Sequence, residues 1–84
     1  MSTELLEQCA TARMAGLDFP TIWAIILRVH PLVGGASEHV TDGERTWLEV
    51  PLINGDRLVF SEDTGFSLRA VHSGHVFVPR RSPP

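Results

Sequence analysis

The chain has no lysine and no tyrosine, a single cysteine, and no long apolar run. Each absence removes a class of protein. With Cys9 alone there is no internal disulfide, so a secreted mini-protein stapled by bridges is excluded. The longest apolar run, Ile22 to Leu27, is six residues and stops at Arg28. A helix that crosses a membrane needs about 20. The first seven residues carry Glu4 and Glu7 and no basic group, unlike a secretory signal. The expectation is a cytoplasmic protein without a membrane partner. Its cations are 7 arginines against 10 acidic residues, a formal charge of −3. Nucleic acid and anionic membranes are held by a cationic surplus, which is missing here.

What is present is an ordinary globular balance, 43% hydrophobic and 20% charged residues in a chain of 84. That length fits one domain, expected over 1–79, with 80–84 as a flexible Pro/Arg tail. A domain of this size buries roughly 60–65% of its unfolded surface, so its core is thin and self-association is a fair expectation.

Two halves differ in periodicity. Residues 1–30 read as helix and 46–79 as strand. The first helix starts at Ser2 or Thr3, either of which can cap it, with Glu4 and Glu7 where the dipole favours them. Leu5, Cys9 and Ala12 repeat at helical spacing, and so do Leu6, Ala10 and Met14. Ala10, Ala12 and Ala15 are small enough to let another element approach. Gly16 is the expected residue just past the helix end. Asp18 caps a second helix with Pro20 in its first turn, and Pro31 closes it. Ile22, Trp23, Ile25, Ile26, Leu27 and Val29 cover most of its circumference rather than one stripe. Such a helix needs cover on two sides, and a partner chain can supply one of them.

Residues 34–45 are polar and glycine-rich and read as a crossing loop, with room for a short edge strand around Glu38 to Val40. A hairpin follows, centred on Asn54-Gly55. A two-residue loop mixes apolar and polar residues on both faces. A three-residue loop, Ile53-Asn54-Gly55 with a left-handed glycine, pairs Leu52 with Asp56, Val50 with Leu58 and Leu48 with Phe60. It separates an apolar face (Leu48, Val50, Leu52, Leu58, Phe60) from one holding Trp47, Glu49, Pro51, Arg57, Val59 and Ser61. A sheet with one buried face requires that separation, so the second register is expected. Pro51 cannot donate to a ladder, which places an unpaired edge beside it. Asp63-Thr64-Gly65 and Ser73-Gly74 are further turns, bounding a third strand from Phe66 and a fourth over His75 to Val78. The predicted fold is α+β in two layers: an N-terminal helical hairpin packed on a four-stranded antiparallel β-meander.

Signals for chemistry are few. Ala12, Gly16, Leu17, Ile22 and Ile25 resemble the apolar skeleton of a helix-turn-helix, which two helices sharing a seam explain equally well. Its outward positions would be Phe19, Pro20, Thr21, Trp23, Ala24 and Leu27, almost without groups to read base edges. His72 and His75 flank a turn, but zinc takes three or four converging ligands, so no metal or other cofactor is expected. Cys9 lies on an apolar helix face with no paired base, and reads as a small core residue rather than a nucleophile.

Tryptophan and arginine are enriched at binding hot spots, although a single tryptophan is more often a core-edge residue. The candidate interaction residues are Trp23, Leu27, Arg28, Trp47, Val59 and Phe77. The expected function is a small non-enzymatic interaction or regulatory module, self-associating through the apolar helix or a sheet edge. The alternatives are a helix-turn-helix-like nucleic-acid binder and a phage or mobile-element inhibitor that masks a basic host surface.

Overall fold

A computed structural model describes residues 2–70 and 76–78. Helix α1 spans Ser2–Met14 and buries Leu5, Leu6 and Cys9. It ends as the glycine predicts. Gly16 sits at φ 96°, and the Gly16 and Leu17 N–H groups donate to the Arg13 and Ala12 carbonyls at 3.0 and 3.2 Å. This is a Schellman closure, in which a left-handed glycine satisfies carbonyls that the helix leaves over. The Arg13 guanidinium adds a bond to the Leu17 carbonyl at 3.2 Å and lies 5.9 Å from the centre of the Phe60 ring.

Helix α2, Phe19–Ile22, starts at Asp18, whose carboxylate accepts from the Thr21 N–H at 2.9 Å. Hydrogen bonds from Thr21 hold the Asp18 carboxyl below the usual carboxylate range. The helix then widens into a π turn over Trp23–Leu27, closed by the Arg28 N–H on the Trp23 carbonyl at 2.8 Å. The sequence predicts uniform α-helix here, and the difference matters for Leu27. Five residues of α-helix rotate a side chain by about 140°. The wider π turn brings Leu27 back to the side of Ile22, and both are wholly buried. Leu27 therefore faces the core and not outward, and Phe19 does too, three residues before Ile22 on the same helix face.

The sheet is a meander of five strands in the order β1-β2-β3-β4-β5, all neighbours antiparallel. They are β1 Glu38–Asp42, β2 Arg45–Pro51, β3 Arg57–Ser61, β4 Gly65–Arg69 and β5 Val76–Phe77. The four expected strands are β2 to β5, and the edge segment around Glu38 is a full additional strand. The predicted hairpin register holds: Leu48 faces Phe60 and Val50 faces Leu58. Gly55 is left-handed at φ 91°, its N–H bonds to the Leu52 carbonyl, and the Leu52 N–H bonds to the Asp56 carbonyl, each at 3.0 Å. Beside Pro51 the β1 ladder has already stopped at Glu49. The strap that follows the second helix takes over, with the Gly34 N–H donating to the Pro51 carbonyl at 2.8 Å. A proline nitrogen is tolerated there because no strand asks it for a proton.

The helices cover one face of the sheet, with α1 packed on β4. The core joins Leu5, Leu6, Cys9, Ile22 and Leu27 to Val50, Leu58 and Leu68. Phe19, Phe60 and Phe66 form one aromatic cluster, with ring centres 4.8 to 6.2 Å apart. The turn at Ser73-Gly74, His72, His75 and the tail from Pro79 lie outside the described residues.

Candidate functional site

The second face of the sheet has no layer over it among the described residues. Strand alternation decides what it displays. From β1 come Glu38, Val40 and Asp42; from β2, Arg45, Trp47 and Glu49; from β3 and β4, Arg57, Val59, Ser67 and Arg69. Glu49 is the organising group. Its side chain is only 9% exposed although it lies on the uncovered face. A carboxylate hidden to that degree needs partners, and it has several. The Trp47 indole N–H donates to Glu49 Oε2 at 2.7 Å, and Arg69 Nη1 reaches the same oxygen at 3.4 Å. Arg57 Nη1 lies 3.9 Å from Glu49 Oε1 and bonds to Glu38 Oε2 at 3.4 Å. Trp47 and Glu49 are two apart on one strand, which puts both on one face. The pairing of β3 and β4 sets Arg57 directly beside Arg69. The carboxylate binds the indole and both guanidiniums together and holds the tryptophan ring in one orientation.

Next to this cluster lies a hollow of about 510 Å³, walled by Arg45, Trp47, Val59 and Arg69 with Ser61 on its floor. Ser61 fills little space there and leaves the hollow open between the larger side chains. Glu44 and Asp63, from the flanking turns, complete the rim. Three carboxylates (Glu38, Asp42, Glu49) and three guanidiniums (Arg45, Arg57, Arg69) stand on the strands of this face, and Glu44 and Asp63 add two acids at its rim.

Of the residues expected from sequence, the structure brings Trp47 and Val59 together here. Trp23 is half-buried and packs on the core, and Leu27 is inside it. Arg28 is exposed at the end of the second helix. Phe77 pairs with Leu68 along the β4–β5 ladder. Sequence reasoning missed Glu49, Arg57 and Arg69. The signal was available for the first two, since the chosen hairpin register already set Trp47, Glu49 and Arg57 on one face.

Other chemistry is sparse. Burial pushes the Cys9 thiol up to about 12, so it is neutral and a poor nucleophile at physiological pH. His30 Nδ1 accepts the Leu32 N–H at 3.1 Å, which fixes the ring at the end of the second helix. Among the described residues no three His, Cys, Asp or Glu side chains converge as metal ligands, and no helix is long and apolar enough to cross a membrane. No protein-family model, curated protein or solved structure matches the chain.

Proposed function

We propose that this protein is a non-enzymatic interaction module that self-associates through the open face of its sheet, second copy against first. The observation that carries the proposal is the Trp47–Glu49–Arg69 cluster, a tryptophan and arginines held in place on a rigid sheet. Ordering costs for such side chains are met before binding, and their types are those that dominate contact energies. Charge favours a second copy as the occupant. The strands of this face carry equal numbers of acids and bases, so two copies can pair acid with base about a two-fold axis, with Glu44 and Asp63 left at the rim. Pairing through the β1 edge is disfavoured, because an antiparallel two-fold at Val40 sets Glu38 against Asp42 of the other copy.

Sedimentation over a concentration series tests this. Arg45→Glu makes the strand charges of the face net acidic and Asp42→Arg makes them net basic. Each variant alone is expected to stay monomeric, and an equimolar mixture to form heterodimers. A wild-type chain that remains monomeric into the millimolar range would overturn the proposal. The second helix offers an alternative contact, since Ile25 and Val29 are 56% and 67% exposed on successive turns. In that case Ile25→Glu, and not Arg45→Glu, abolishes the dimer.

A further inference from the structure

We infer, on the basis of self-association through the sheet face, that the hollow beside Trp47 is completed by the second copy. The partner's Arg45 enters it and pairs with Asp63 and Glu44 at the rim, reciprocally about the two-fold axis. The hollow lies where β2 and β3 part. Their pairing ends at Leu48 and Phe60, while β2 reaches back to Arg45 and β3 forward to Ser61. Glu44 borders it from the β1–β2 turn and Asp63 from the β3–β4 turn.

The charges still uncommitted in one copy select the contact. Arg57 and Arg69 are engaged by Glu49, and Arg57 also by Glu38. Arg45 is the guanidinium of this face that no described residue pairs with. Glu44 and Asp63 are likewise without an ion pair among the described residues. All three are exposed, so no internal bond is lost when they meet an outside partner. The walls suit an arginine as well. Trp47, fixed by its bond to Glu49, and Val59 offer an aromatic and an aliphatic surface to a guanidinium and its stem. Asp42 is also acidic, but it stands on β1 and does not line the hollow. Two-fold symmetry makes the contact twice, since each copy gives an arginine and receives one.

Sedimentation equilibrium of the full-length chain tests the contact with Arg45→Glu and Asp63→Arg, both at exposed positions outside the core. Either variant alone sets like charges together at two symmetric sites, and its dissociation constant should rise by about tenfold. In an equimolar mixture the introduced glutamate meets the introduced arginine, and the remaining Arg45 meets the remaining Asp63. Affinity should then return to that of the wild type. A chain carrying both substitutions should associate with itself equally well. Arg45→Glu mixed with Asp42→Arg should bind more weakly, since the introduced glutamate still faces Asp63. Two outcomes would overturn the contact and leave the sheet-face dimer standing. One is Asp63→Arg associating as the wild type does, and the other is a mixture no tighter than either variant alone. A wild-type chain that stays monomeric, or a dimer abolished by Ile25→Glu and not by Arg45→Glu, would overturn the sheet-face dimer and the contact with it.

Discussion

Cys9 carries the largest departure from ordinary titration among the described residues, and its environment accounts for it. The thiol is enclosed by apolar side chains, so the thiolate is penalised and the group titrates near 12 instead of 9.0. A folded-state value raised above the unfolded one stabilises the fold fully below about pH 9, and that contribution is lost as pH rises toward 12. Urea unfolding at pH 7, 9 and 11 should show the wild type losing stability across that window. Cys9→Ala should flatten the decline. In native buffer a thiol reagent should modify Cys9 only as fast as the protein opens. The sequence already placed this cysteine on an apolar helix face. The near burial of Glu49 was not legible in the same way. A glutamate on a polar strand face ordinarily reads as solvated, and only the cross-strand arrival of Arg69 shows what surrounds it.

Elements differ in how much of their geometry local chemistry dictates. The β2–β3 hairpin is specified twice, by a two-residue alternation that tolerates one register and by a glycine at the position needing φ 91°. Gly55→Ala should therefore cost about 1–2 kcal/mol, the penalty for a β-carbon in left-handed backbone. The check is the urea midpoint, with an unchanged dependence on urea showing that the same surface is exposed on unfolding. The second helix shows the opposite case. Its apolar residues surround the axis, so periodicity cannot choose between an α and a π turn, and packing against the sheet decides. That choice buries Leu27 and leaves Ile25 and Val29 outside. The apparent surplus of apolar residues on this helix is thus mostly absorbed by the core. β1 was visible only as a possibility, because Glu38-His39-Val40-Thr41-Asp42 contains one apolar residue and shows no alternation. What fixes it as a strand is its two-residue connection to β2, where Gly43 takes φ 64°.

For the molecule as a whole, the two layers leave two unlike surfaces: the uncovered, tryptophan-bearing sheet face and the outer side of the helices. Size limits what the first can achieve. Four strands of five to seven residues and one of two, about 4.8 Å apart at roughly 3.4 Å per residue, give a plan area of roughly 400 Å². Stable complexes bury about 800 Å² per partner. Self-association through this face should therefore be weak and concentration-dependent. Because ion pairs steer it, raising salt from about 50 to 500 mM should raise the dissociation constant severalfold, which sedimentation equilibrium can measure. An association driven by Ile25 and Val29 would instead be insensitive to salt or tightened by it. The meander has one more implication, and it concerns time. Every strand pairs only with its neighbour along the chain, so no strand must wait for a distant segment to arrive. The sheet can close hairpin by hairpin, starting from the tight turns at Gly43 and Gly55. The long-range search is left to the helical half, which settles α1 onto β4, Phe19 onto Phe60 and Phe66, and Gly34 beside Pro51. A chain wired this way should reach its native state quickly, with little opportunity for strands of separate molecules to exchange.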